Sequence, residues 1–406
     1  MKDQFKIVLL TVLLSLGMGC QSNGGPDREP QVDASTSHET TQEVQPEPGI
    51  NQTVTIRSIG DILLHDGVYY DGQRESGYVF DQMFEPVKED LAGSDITTAN
   101  METIVAGSQL GVSTYPRFNA PEEIVDALLN CGVDIVSNAT NHTVDFGLDG
   151  VLASINNLKT KGMEYVGSYE SWDDYNRIRI IEKNGIKVGF LSYTYGTNGL
   201  AIPAQAPYSV TLIDKELIPL EIERLNKHCD LSVVMIHYGQ DAFYPVQDQL
   251  DWTQLLIDSG ANLVLGGHSH IMQPMKQFSP SQAAWYSHGN FLSGQIKTYE
   301  KVGGIGEFTF KKVAKGKVEL ESLRVMPTYN FGYPEWNTYL VVPLAQAQDQ
   351  YGLWNGNELF QEVSQRLKEY TNTVQVVESF HKEKTDSKES EAEWIYRHMK
   401  SPYQTS

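Results

Sequence analysis

Residues 262–270 read Asn-Leu-Val-Leu-Gly-Gly-His-Ser-His. Leu263, Val264 and Leu265 form a short apolar run of the kind that buries a strand on both faces. Gly266 and Gly267 then allow a sharp backbone turn. His268 and His270, two residues apart, suit two ligands of one metal centre or of adjacent centres. A strand that ends in glycines and ligand-type side chains is the pattern of an open α/β sheet, where ligands bind beyond the carboxyl ends of the strands.

The pattern recurs upstream. Asp61 follows Val-Thr-Ile-Arg-Ser-Ile-Gly, Asn100 and Glu102 follow Asp-Ile-Thr-Thr-Ala, and Asn138, Asn141 and His142 follow Val-Asp-Ile-Val-Ser. His237 closes Leu-Ser-Val-Val-Met-Ile. Each position also has an ordinary reading. Asp61 suits a turn or helix cap, Glu102 a solvated loop, Asn141-His142 a turn pair, and His237 a satisfied core histidine. Five such segments in one chain favour convergence on a single crevice.

Around them, short β-branched runs alternate with amphipathic stretches, which predicts an α/β layered fold. Strands are expected near 53–59, 95–99, 133–137, 187–193, 231–237, 262–266 and 284–288. Helices are expected near 80–91, 121–131, 147–161, 214–227 and 246–259. Residues 305–343 turn to β without helices, which suggests hairpins completing a sheet. A helix near 357–369 follows, with Leu359, Phe360, Val363 and Leu367 on one face. The charged stretch 378–406, with its apolar cluster Trp394-Ile395-Tyr396, is either a docked helix or a loose tail.

The chain has 406 residues, 40% of them hydrophobic, with 31 Lys plus Arg against 52 Asp plus Glu. That length and composition suffice for a sizeable core and exclude wholesale disorder, collagen and a disulfide scaffold. A net charge of −21 repels phosphate backbones, so no nucleic-acid partner is expected. A phosphate-bearing ligand would need a local positive centre, and a bound metal is the obvious source. Cys131 and Cys229 each fall between a helix and a strand, where they either pair or remain small buried thiols.

At the start, Lys2 and Lys6 flank an apolar run from Ile7 to Met18 that stops at Gly19-Cys20. As a helix this run rises only about 18 Å, short of a bilayer core of about 30 Å. Residues 1–19 therefore read as an export signal. With Cys20 next, the signal resembles that of a bacterial lipoprotein, in which Cys20 is lipidated, although Gly17 stands where a Leu is usual. Residues 20–50 are acidic, proline-containing and nearly devoid of apolar side chains. They are expected to tether the folded part to the extracytoplasmic face of the cell membrane through the lipid anchor.

The motif order resembles the CapA-type poly-γ-glutamate capsule-synthesis family. The matching stretches are Ser58-Ile59-Gly60-Asp61, Asn100-Met101-Glu102, Phe118-Asn119-Ala120-Pro121, and Ser137-Asn138-Ala139-Thr140-Asn141-His142 with Asp145-Phe146-Gly147. Further on come His237-Tyr238-Gly239, Gly267-His268-Ser269-His270 and Tyr286-Ser287-His288-Gly289-Asn290-Phe291. The resemblance implies a layered αββα sandwich similar to calcineurin-like metallophosphoesterases over residues 51–345. Residues 346–406 would then form a helical extension and charged tail.

Carried over residue by residue, the resemblance implies one or two divalent transition metals (Mn, Fe or Zn). Asp61 and His270 would hold one. Asn141, His237 and His268 would hold the second, Glu102 would bridge, and His142 would sit beside the substrate phosphate as general acid or transition-state stabiliser. His65, Asn100, Asn138, His288 and Asn290 are candidates for supporting places behind these ligands. Two departures bear on the first centre: Leu63 stands where phosphoesterases have a His, and Glu102 replaces the usual bridging Asp. That centre has fewer ligands unless His65 completes it. Three functions are compatible with these residues. One is assistance to synthesis or export of an anionic peptide polymer, with membrane polymer-synthase partners. The second is metal-dependent hydrolysis of phosphoesters or of the polymer. The third is a non-catalytic polymer-binding scaffold.

Overall fold

The structure, a computed structural model, describes residues 52–381. The export signal with Cys20, the whole tether and the tail cluster Trp394-Ile395-Tyr396 lie outside the described residues. No helix among the described residues is long and apolar enough to cross a membrane.

Two sheets form the centre. In the first, strands run in the order Leu340–Pro343, Lys317–Phe331, Val302–Ala314, Thr53–Leu63, Ile96–Met101, Ile135–Ser137 and Glu164–Val166. Asn290–Ser293 also pairs with Thr53–Leu63, and Gln375–Val376 with Lys317–Phe331. The second has the order Met275–Ser279, Gln282–Trp285, Leu263–Gly267, Leu231–His237, Ile186–Thr194 and Arg179–Lys183. The strands that precede the candidate ligands run parallel within each sheet.

Period-two alternation explains the layers. In Leu231–His237, Leu231, Val233 and Met235 enter the core shared by both sheets, whereas Val234 and Ile236 face an outer apolar layer. Ile218 and Ile222 of helix Leu217–Asn226, with Leu256 and Ile257 of helix Gln247–Asp258, cover that outer face. On the far side of the first sheet, helices Glu123–Asn130 and Gly147–Lys161 bury Ile124, Leu128, Val151, Ile155 and Leu158. The result is the expected αββα sandwich. Helix Gly356–Leu367 adds Leu359, Val363 and Leu367 to the inter-sheet core.

Two expectations are corrected. The helix expected near 80–91 is a pair of 3₁₀ turns, Asp81–Met83 and Glu85–Val87, followed by the short helix Lys88–Ala92. Pro86 lacks the N–H that a continuous helix needs there. The strand expected at 284–288 ends at Trp285, and the chain crosses to the first sheet, where Asn290 pairs with Asp61. Cys131 and Cys229 are both free thiols.

Candidate metal centre

Asp61 owes its orientation to an irregularity in strand Thr53–Leu63. The parallel register with Ile96–Met101 shifts between Ile59 and Asp61, so Gly60 is an extra residue. Ile59 and Ile62 therefore both face the outer helical layer, while Asp61 turns toward the residues of the second sheet. Only glycine suits the bulge, because a Cβ on Gly60 would lie 1.9 Å from the Gly289 carbonyl oxygen. Gly267 is constrained by the opposite wall: a Cβ there would stand 2.7 Å from Asp61 Oδ1. His268 and His270 sit at φ values of 86° and 55°, a left-handed backbone that costs non-glycine residues about 1–3 kcal/mol each. Such strain persists where the surroundings over-determine it, and here it aims both imidazoles at one point.

That point is Glu102. Glu102 is buried and neither carboxylate oxygen has a hydrogen-bond partner. Its oxygens lie 3.5 Å from His237 Nε2 and 3.7 Å from His270 Nδ1. Ligand atoms of Glu102, His268 and His270 all fall within 4.8 Å of one another. Asp61 is 3.1 Å from His270 Nδ1, accepts from the His268 N–H at 3.2 Å, and accepts from Asn100 Nδ2 at 2.7 Å. Asn100 Nδ2 is also 3.0 Å from His237 Nδ1.

The electrostatics favour a cation. Burial pushes Glu102 up to about 7, with the Asp61 charge adding to the rise and His270 opposing it. Burial also acts on Asp61, but the His270 hydrogen bond and nearby imidazoles hold it down to about 2. Burial alone would lower His270; Glu102 and Asp61 outweigh it and raise that ring to about 10. Burial drives His237 down to about 3 and His268 to about 2, which keeps both rings in the neutral, ligating form. Without a metal, the Glu102 oxygens have no hydrogen-bond partner and face two neutral rings, His237 and His268, with the His270 proton as the nearby positive charge; a bound cation would take that proton's place. The carboxylate, imidazole and carboxamide donors therefore fit a divalent transition metal.

Asn141 and His142 enter on the loop after Ile135–Ser137. Asn141 Oδ1 lies 2.7 Å from His237 Nε2, and its Nδ2 donates to Asn198 Oδ1 at 3.2 Å. His142 Nδ1 lies 2.7 Å from Asp145 Oδ2, and its ring stands edge-on to Phe118. His142, Asn141 and His270 line a cavity of about 540 Å³ that also reaches Arg117, Phe118 and Leu200.

The supporting candidates take distinct places. Asn100 bridges Asp61 and His237, as above. Asn290 Oδ1 lies 3.0 Å from His270 Nδ1, and its Nδ2 donates to the Glu300 carbonyl at 2.8 Å. Asn138 Oδ1 accepts from the Ser168 N–H at 2.9 Å, which fixes the loop and not a ligand. His288 donates from Nδ1 to the Gly266 carbonyl at 2.7 Å and packs on Trp285, with burial lowering its pKa to about 4. His65 lines the cavity, but its Nδ1 is taken up by the Leu63 carbonyl and the Gly294 N–H, both at 3.2 Å.

Three contributors are invisible to the strand-end reading. Asp145 is one, and its spacing from His142 (i, i+3) is the signal that exposes it. Tyr195, whose ring centre is 4.5 Å from that of His268, and Asn198 lie on a loop without any motif.

Fold and cluster together describe an α/β sandwich protein with a group of residues able to hold a divalent metal. The chain belongs to the bacterial capsule synthesis protein family PGA_cap, whose family profile matches residues 55–295. It is 25% identical over 274 residues to the PGA biosynthesis protein CapA of Bacillus subtilis (strain 168), covering 66% of this chain and 70% of that one. It is 26% identical over 267 residues to the capsule biosynthesis protein CapA of Bacillus anthracis, covering 64% of each. Among solved structures, it is similar to the NAD nucleotidase of Haemophilus influenzae, with a TM-score of 0.43 and 10% identity, covering 86% of this chain and 60% of that one.

Proposed function

We propose that this protein acts in the synthesis, release or export of an anionic peptide polymer of the poly-γ-glutamate type, and that its cleft contributes metal-assisted hydrolysis. The observation that carries the reading is the buried, unpartnered carboxylate of Glu102 set among His237, His268 and His270, next to a cavity that His142 lines. Glu102, His268 and His270, with Asp61, Asn141 and His237, would hold one or two divalent ions such as Mn, Fe or Zn. When bound, such an ion supplies positive charge and Lewis acidity at a phosphoryl or carbonyl oxygen. The chain's own residues do the rest. His142, held by Asp145, presents a ring nitrogen to the cavity and would pass a proton to the leaving group. Asn100 and Asn290 fix the acceptors behind the ligands. Lipid attachment at Cys20 would hold this domain at the outer face of the membrane, close to polymer-synthase partners.

Metal analysis combined with turnover of chromogenic phosphodiesters and γ-glutamyl peptides tests the chemistry. Deletion of the protein from a polymer-making host, with polyglutamate amount and chain length measured, tests the biology. Metal-free protein with full activity, or an unchanged polymer, would sink the respective half. One observation favours a non-catalytic holding role: Leu63 leaves the Asp61 side with few donors. Steady turnover abolished by His142→Ala would remove that alternative.

A further inference from the structure

The cavity that His142 lines also carries an arginine whose charge is unspent. Eight arginines lie among the described residues. Seven guanidiniums are engaged: Arg57 and Arg324 by Glu307, Arg74 by the Asp71 carbonyl, Arg177 by Glu164, Arg179 by Asp174, Arg224 by the Asn176 carbonyl and Arg366 by Glu362. The exception is Arg117, which is exposed and lines the cavity.

The backbone that presents Arg117 is braced on every side. Ser113 and Asn119 exchange N–H to carbonyl bonds at 3.0 and 3.1 Å, and Ser113 Oγ donates to the Arg117 carbonyl at 2.8 Å. Asn119 Nδ2 donates to the carbonyls of Gly107 and Gly111 at 3.0 and 2.9 Å. The Phe118 N–H donates to Asp145 Oδ2 at 2.7 Å, and the same oxygen lies 2.7 Å from His142 Nδ1. One carboxylate oxygen thus fixes both the His142 ring and the peptide next to Arg117. The long side chain keeps its freedom, but its root is registered to the cleft.

We propose that Arg117 reads a pendant carboxylate of a γ-linked glutamyl chain lying in this cavity. The inference rests on the polymer reading above and adds the residue that selects the anion. A guanidinium fork matches a carboxylate with two parallel hydrogen bonds. The cavity, about 540 Å³, has the size of sites for organic ligands and exceeds what a lone phosphate fills. Leu63, Phe118 and Leu200 on its walls suit the methylene pairs that separate amides in a γ-linked chain. In a chain of net charge −21, a polyanion needs such a local cation to approach.

The test is calorimetric titration of the full chain, loaded with Mn(II), with γ-linked triglutamate and with its α-carboxamide counterpart. The wild-type chain should bind the acid about tenfold more tightly than the amide, as expected for one charge-assisted pair. Arg117→Gln should bring the two forms within about twofold with Mn content unchanged, and Arg117→Lys should retain part of the preference. An unchanged preference in Arg117→Gln overturns this inference alone. No binding of either form by the wild-type chain overturns the polymer reading and this inference with it. Inorganic phosphate serves as a third titrant, and a wild-type chain that holds it through Arg117 while ignoring triglutamate overturns the carboxylate assignment.

Discussion

His142 and Asp145 form a buried pair in which ring Nδ1 and carboxylate Oδ2 are 2.7 Å apart. The carboxylate accepts from Nδ1, so a proton delivered to the cavity would come from Nε2 of the doubly protonated ring. Asp145→Asn should keep metal content and thermal stability near wild type while lowering turnover about 10- to 100-fold. His142→Ala should cost more, about 10²–10⁴-fold, the usual range for general acid catalysis. Turnover of a chromogenic phosphodiester, measured beside metal content, decides; a full-rate His142→Ala protein would remove His142 from the chemistry.

The two sides of the cluster should differ in grip. Asn141, His237, His268 and Glu102 offer four donors, enough for a nearly closed shell. Asp61 and His270 share Glu102 and have no histidine at Leu63. One equivalent of metal should leave readily under chelator and a second slowly. Asp61→Ala should abolish the weak equivalent only, and His237→Ala the tight one. The reverse pattern in elemental analysis would show that the ligands are paired wrongly.

Without metal, stability should depend on alkaline pH. Folding raises His270 to about 10, so the folded state holds a proton that the unfolded state releases above about 6.5. Stability from this source is present below about 6.5 and lost as pH rises toward 10. Glu102, raised to about 7, acts in the same sense at lower pH, whereas the lowered His237 and His268 act in the opposite sense and only below about 6.5. The melting temperature of chelated protein should therefore fall between pH 7 and 10. Metal-loaded protein should show a smaller fall, since the ion replaces the proton's charge. A flat profile for the chelated protein would contradict the arrangement.

Both thiols should stay silent in the native state. Burial pushes Cys131 up to about 12 and Cys229 up to about 11, so little thiolate exists at pH 8. Iodoacetamide at that pH should label neither quickly, and both should label after denaturation without reductant. A disulfide-linked peptide joining them in mass spectrometry would overturn the free-thiol assignment.

The residues that converge on the cluster were legible because they follow the ends of apolar strands, a place with its own chemical signature. The αββα layering followed from the same alternation. What escaped was geometry made by contact between distant segments. Asn198 reaches Asn141 from 57 residues away. Tyr195 packs its ring against His268 at a tilt of 41°, although nothing in Tyr-Gly-Thr-Asn-Gly-Leu at 195–200 marks it. The helix expected at 80–91 failed for a local reason, the missing N–H of Pro86. The strand expected to run on to residue 288 failed because the chain changes sheets after Trp285.

The bulge at Gly60 makes the facing of Asp61 a matter of parity. In strand Thr53–Leu63 one surplus residue separates two counts, one that sends Ile59 and Ile62 outward and one that sends Asp61 inward. Exchanging Ile62 for another apolar residue leaves the count intact. Were Gly60 instead to take an ordinary place in the pleat, opposite Asn100, alternation would point the carboxylate into the helical layer and Ile62 at the imidazoles. The facing of Asp61 therefore hangs on position 60 staying out of the pleat, which the close Gly289 carbonyl reserves for glycine.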